Sequence, residues 1–181
     1  DCADTDRGVT SDWHLRLARP DDAEHWPEIE RAAAQLFRSL PGLGALDLDH
    51  TWHPDDLRRL IRKGHCLSAS LDDRLVGFLA VQPFQRELHL WELSVHPDAQ
   101  RRGIGAGLVR ACLIDAANAG FRAVTLTTFR DVPWNAPFYA RLGFTELAEP
   151  DAHARLAEML TNEADSGLPA ERRCAMVRLI S

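Results

Sequence analysis

The sequence predicts an α/β domain built on a mixed sheet. Three observations carry that expectation. Strand-like runs predominate before residue 103, strands and helices alternate after it, and a glycine-rich turn joins an apolar strand to a helix at the changeover. A chain of 181 residues suits one domain with a sizeable core. Residues 1–12 are polar and aperiodic and are expected to form a disordered arm, leaving 13–181 as the folded domain.

His14, Leu15, Arg16 and Leu17 alternate and read as part of a first strand over 14–19. Pro20-Asp21-Asp22 then opens a helix that runs to about Phe37, with Ile29, Ala33, Leu36 and Phe37 on one side. A long connection over 39–54 follows, carrying Pro41, Gly42, Gly44, Asp47, Asp49 and Trp52, and loops of that length are usually functional or mobile. A short helix over 55–63 ends at Gly64. Three strands are expected at 66–71, 75–83 and 87–95, the first two joined by a hairpin turn at Asp72-Asp73-Arg74. A helix over 103–119 buries Ile104, Leu108, Ala111 and Cys112 and ends at Gly120. A strand at 123–129, a short helix at 133–142, a strand at 144–147, a helix at 152–163 and a strand at 172–180 complete the chain.

Composition narrows the classes. A net charge of −6 argues against a protein that wraps nucleic acid. No apolar run approaches the length of a membrane span. Cys2, Cys66, Cys112 and Cys174 are widely spaced, which favours reduced thiols in a cytoplasmic protein over a disulfide framework or zinc site. The His50-Thr51-Trp52-His53 run lacks a carboxylate or cysteine at supporting spacing, so no metal is expected.

The stretch from Val95 to Leu108 is the most informative. A basic, glycine-rich turn runs directly into a helix, so unpaired backbone N–H groups and the positive end of a helix dipole converge on one point. That point suits a phosphate or diphosphate, with Arg101 and Arg102 available for charge-assisted hydrogen bonds. Spacing excludes two familiar phosphate motifs. A dinucleotide fingerprint requires glycine where Leu108 stands, and a P-loop requires Gly-Lys-Ser/Thr, which is absent. The pattern that fits is Gln/Arg-x-x-Gly-x-Gly/Ala, met by Gln100, Gly103 and Gly105.

With Leu93-Ser94-Val95-His96-Pro97 before it and Asn135, Phe138, Tyr139, Gly143 and Phe144 after it, the chain resembles the GNAT superfamily of acetyl-CoA-dependent N-acetyltransferases. The resemblance implies a mostly antiparallel sheet of about seven strands, splayed at the cofactor slot and flanked by helices. It implies acetyl-CoA as co-substrate. The diphosphate would lie on the amides of Arg101, Arg102, Gly103, Ile104, Gly105 and Ala106 beside Gln100, and pantetheine along Leu93, Ser94 and Val95. Asn135 would bond the cofactor, and an N–H near Val95 would polarise the thioester carbonyl. Tyr139, the only tyrosine, falls at the general-acid position of the family, the alternative being a core aromatic with a satisfied hydroxyl.

Glu92 is the candidate general base, as the one carboxylate inside the strand that ends at the slot. Alternation puts it on one face with Leu88, Leu90 and Ser94, surroundings that would raise its pKa; a bulge would upset that parity. An exposed carboxylate or an arginine salt bridge is the alternative. Asp131 and His89 are weaker substitutes. Asp47, Asp49 and Trp52, with Glu92, suggest a site for a small cationic amine, although the aspartates of 47–56 also suit helix and turn capping. The expected activity is acetyl transfer to a primary amine by direct attack in a ternary complex. Protein acetylation of a lysine or an N-terminus, and a non-catalytic acyl-CoA-binding module, are the rivals. Family members often pair, which brings a homodimer into view.

Overall fold

The structure is a computed structural model that describes residues 12–48 and 50–181. Most of the expected disordered arm, Cys2 and Asp49 therefore lie outside the described residues. The strands are β1 (Trp13–Leu17), β2 (Leu67–Leu71), β3 (Arg74–Phe84), β4 (Glu87–Val95), β5 (Ala123–Phe129), β6 (Thr145–Glu146) and β7 (Arg173–Leu179). The helices are α1 (Trp26–Ala34), α2 (Pro54–Arg62), α3 (Ile104–Asn118), α4 (Ala136–Arg141) and α5 (Ala154–Asp165).

The strands form one open sheet in the order β1-β2-β3-β4-β5-β7-β6. Every neighbouring pair is antiparallel except β4 and β5. That parallel pair is short: Glu87, Leu88 and His89 match Ala123, Val124 and Thr125, and then the strands part. The expected mixed, splayed sheet is what the chain forms. Asp72 and Asp73, at φ of 50° and 60°, make the two-residue turn between β2 and β3, the left-handed geometry that matches strand twist.

The expected first helix is broken into three pieces. A 3-10 turn at Pro20–Glu24 precedes α1, and another at Gln35–Ser39 follows it. Pro27 sits in the first turn of α1; in a continuous helix it would lack a bond to, and its ring would crowd, the carbonyl four residues back. The Asp22 carboxylate meanwhile accepts the Arg19 N–H at 2.8 Å and closes a separate turn. The same carboxylate accepts two bonds from Arg16 at 2.7 and 2.9 Å and one from the Ser68 hydroxyl at 2.8 Å, so it ties β1 to β2.

The main core fills both faces of the sheet, with Trp26 stacked on Phe78 at 4.4 Å. On α3, Ile104, Leu108 and Cys112 are buried as expected, and Ala111 packs half-buried beside them. A second, smaller cluster joins Leu43 to Phe129 and Val132, with Phe37, Leu40, Leu46 and Leu168 around it. It seats part of the 39–54 connection on the end of β5.

Helix α5 is pinned over the start of the β4–β5 pair by a polar network. Arg155 donates to Glu87 at 2.7 Å, to Thr125 at 3.0 Å and to His89 at 3.0 Å, and its guanidinium lies 4.5 Å from the Phe84 ring centre. Burial, with the charges of Arg155 and His153, pushes the His89 imidazole down to about 3. Among the described residues, no helix is long and apolar enough to cross a membrane.

Candidate active site

A cavity of about 1020 Å³ opens where β4 and β5 separate. Its walls come from α1, the 39–54 connection, both diverging strands, the start of α3, α4 and the residues leading into β7. His96 donates its N–H to the Val76 carbonyl at 2.7 Å. Alternation along an antiparallel ladder then turns the Val95 N–H, and both backbone groups of Leu93, away from β3 and into the cleft. The cleft is thus edged by unpaired peptide groups, an arrangement that accepts an extended chain bearing amides.

At one end lies the glycine loop. Arg101 and Gly103 have φ of 65° and 82°, so successive N–H groups turn toward one side before α3 begins. The first amides of α3, at Ile104, Gly105 and Ala106, have no intrahelical acceptor and border the cavity. A Cβ on Gly105 would meet Phe138 at 3.7 Å and Val95 at 3.9 Å, ordinary contacts, so nothing in the protein itself demands glycine there. The Gln100 amide donates to the Val95 carbonyl at 3.1 Å and ties the loop to the strand end. Arg101 lines the cavity and Arg102 does not.

Midway stand Tyr139 and Asn135. Asn135 heads α4, and its Oδ1 accepts the Thr128 hydroxyl at 2.6 Å, which holds α4 against β5. Tyr139 is 8% exposed, with its ring edge-on to Phe138 and Phe144. Its hydroxyl has no hydrogen-bond partner among the described residues. Burial first, and then the charges of Glu92 and Cys112, push the phenol above its ordinary range, so it stays protonated.

Glu92 lines the cavity, and the parity argument that places it there fails. Ala80 faces Glu92 while Val81 faces Leu90, which leaves Trp91 as an extra residue in a β-bulge. Glu92 and Ser94 therefore point opposite to Leu88 and Leu90. What raises the Glu92 carboxyl is burial, followed by the charge of Glu30 on α1; the Ser94 hydroxyl at 3.1 Å and the charge of Arg173 oppose that rise. Burial likewise raises Glu30, against an N–H from Trp52 at 3.2 Å and the charge of Arg31. Two half-buried carboxyls on one cavity that repel each other's charge cannot both ionise freely, so the pair holds protons to higher pH than ordinary carboxyls.

Glu30 was not among the sequence candidates. Its signal was the stripe of Glu30, Ala33, Ala34 and Phe37, a carboxylate and two small residues on a helix face that lines the cavity. Arg173 was missed as well. It lines the cavity, bonds Thr127 at 3.2 Å and Glu163 at 3.4 Å, and lies 4.6 Å from the Phe129 ring centre. Among the proposed substrate residues, Asp47 lines the cavity, while Trp52 packs edge-on against Trp91 at 5.6 Å. Asp55 and Asp56 belong to the first turn of α2, where a negative charge suits the helix dipole, and His53 caps the helix by accepting the Asp55 N–H. The substitute bases lie elsewhere: His89 is under α5, and Asp131 is paired with Arg172 at 3.1 Å. Arg172 also donates to the Pro41 carbonyl at 2.6 Å. Among the described residues, no group of three or more His, Cys, Asp or Glu is placed to hold a metal ion.

An open seven-stranded sheet, parted at its single parallel pair beside a glycine loop, defines a GNAT-like fold. The chain belongs to the acetyltransferase (GNAT) family, whose sequence profile matches residues 26–144. It is similar to the mycothiol acetyltransferase of Mycobacterium avium (strain 104), with 34% identity over 106 residues, 58% of this chain and 32% of that protein. The chain thus spans about a third of the length of that curated relative. Its fold is similar to that of the PaiA N-acetyltransferase from Thermoplasma acidophilum, solved with coenzyme A: the TM-score is 0.69 at 16% identity, covering 93% of this chain and 99% of that one. A GNAT family acetyltransferase from Brucella melitensis, solved with acetyl-CoA, is 26% identical over 75% of this chain and 84% of its own, with a TM-score of 0.56.

Proposed function

We propose that this chain transfers the acetyl group of acetyl-CoA to the primary amine of a small cationic acceptor, by direct attack in a ternary complex. One observation carries the reading: a single cavity joins an amide cradle, two unpaired strand edges, a protonated phenol and a pair of half-buried carboxyls, Glu30 and Glu92. The cradle from Arg101 to Ala106 suits the diphosphate, with Gln100 bracing it. The Leu93 backbone groups suit the amides of pantetheine, which leaves the Val95 N–H for the thioester carbonyl. Acetyl-CoA, when bound, supplies an acyl group activated as a thioester.

An ammonium has no lone pair, so the acceptor must lose a proton before it attacks. Glu92 takes that proton, directly or through water; its raised pKa makes it a stronger base than an ordinary carboxylate. As the C–N bond forms, the Val95 N–H stabilises charge on the carbonyl oxygen. A second proton leaves the nitrogen as the C–S bond breaks. Tyr139 donates its hydroxyl hydrogen to the departing sulfur and regains one of the two protons lost by nitrogen, so the net products are the amide, the thiol and one proton that passes from Glu92 to solvent.

Acceptor size is supported by the covering of the cleft. The connection over 39–54 is held by the Leu43 cluster and by the Arg172 bond to Pro41, which closes one side. Asp47 and the Glu92–Glu30 pair, which shares its protons, give the acceptor end of the cavity carboxyl oxygens that can accept from an ammonium. The matched mycothiol acetyltransferases favour an acetyl donor. Thiol release from acetyl-CoA across a panel of amines and peptides tests the reading. Release with small amines is the expected result. Release with peptides alone makes the chain a protein acetyltransferase, and tight coenzyme binding without release makes it a binding module.

A further inference from the structure

The Arg102–Gly103 peptide is where the cradle turns from loop into helix, and it is gripped from outside the cleft. The indole Nε1–H of Trp13, on β1, donates to the Arg102 carbonyl at 3.0 Å. The far edge of the same ring lies on α3 at Gly107. A Cβ at position 107 would stand 2.6 Å from Trp13 Cη2 and 3.0 Å from Cζ3, so a side chain there would displace the indole. Trp13 is itself fixed by pairing with Leu71 of β2 and by packing against the main core.

In a planar trans peptide the C=O and N–H point in opposite directions. Drawing the Arg102 carbonyl toward Trp13 therefore aims the Gly103 N–H the other way. Gly103 borders the cavity and Arg102 does not, in keeping with that orientation. The local chain does not hold this geometry by preference, because Arg101 stands at a φ of 65°, a region that non-glycine residues seldom occupy. We propose that Trp13 is a positioning residue for the coenzyme: its indole locks the Arg102–Gly103 peptide so that the Gly103 amide faces the diphosphate. This rests on the reading of the cleft as a coenzyme A site.

Coenzyme A titrated calorimetrically into the wild type, Trp13→Phe and Gly107→Ala tests the lock, with the Gly103 amide proton followed by NMR. Phenylalanine keeps a ring against α3 and removes only the donor. Trp13→Phe is expected to weaken coenzyme A binding by about three- to tenfold, the worth of one hydrogen bond, and to abolish the downfield movement of the Gly103 amide proton on binding. Gly107→Ala makes α3 a better helix former yet evicts the indole, so it should show the same two losses and decides the matter should Trp13→Phe fail to fold. Variants that bind like the wild type overturn the lock, as does weakened binding with an unaltered Gly103 response, which marks a merely structural role. A wild type that does not bind coenzyme A removes the coenzyme reading and the lock together, whereas a binding wild type with unaffected variants removes the lock alone.

Discussion

Glu92 is tuned chiefly by burial and by a carboxyl from another element. Because burial and the neighbouring charge both favour its protonated form, the base becomes available only as pH rises through its raised pKa, and activity is lost as pH falls through the same value. Glu30→Gln removes the charge while keeping the bulk. It should move the acid limb of the kcat/KM profile to lower pH and lower the plateau, since a weaker base remains. A limb that stays in place, or moves upward, would show that Glu30 does not act on the base. Glu92→Gln should cut kcat by about 100-fold or more with coenzyme affinity kept. Tyr139→Phe keeps the ring contacts with Phe138 and Phe144 and removes the donor. It should also lower kcat by about 100-fold at unchanged coenzyme affinity, and full turnover in that variant would take Tyr139 out of the chemistry.

At the scale of elements, what could be read from the chain depended on whether the cause was local. Residues 123–129 carry their own β pattern, and Asp72-Asp73 its own turn chemistry, so both were legible without tertiary information. The placement of Glu92 was not. Its face depends on one extra residue, Trp91, whose indole finds Gln82 at 2.9 Å on the neighbouring strand, and simple alternation along β4 cannot show this. Pro27 was visible, but the apolar stripe from Ile29 to Phe37 outweighed it and concealed the break. Asp22 explains why that break is stable. Burial opposes its charge, and the bonds from Arg16, the Arg19 N–H and Ser68 overcome that penalty, so its folded pKa lies below the ordinary carboxylate value. The stability it supplies is present above about pH 4 and disappears as pH falls through the lower folded value. Asp22→Asn should lower the unfolding free energy by about 2–3 kcal/mol at pH 7 in urea titrations. The gap from the wild type should close on acidification; a gap independent of pH would mean that the carboxylate charge is not its source.

At the scale of the molecule, the cavity exists because the sheet fails to close. After His89 and Thr125 the parallel pair separates, and residues distant in sequence face one another across the gap. That is why Tyr139 and the glycine loop, which carry sequence patterns of their own, could be read from the chain, whereas Glu30 and Arg173 acquire their positions only when α1 and β7 are placed. The same geometry makes the 39–54 connection part of the acceptor wall. Its attachment is uneven: Leu43 is fully buried, while Pro41, two residues before it, is held through its carbonyl by the Arg172 guanidinium, which also binds Asp131. Arg172→Ala should release this shoulder and leave the Leu43 cluster intact, at a stability cost of about 1 kcal/mol. If the shoulder limits acceptor size, the variant should show a higher KM for small amines at nearly unchanged kcat, together with new thiol release from longer amine-bearing peptides. Unchanged rejection of those peptides would place the size limit deeper, at the β4 bulge and the Leu168 side of the cleft, which the substitution does not touch.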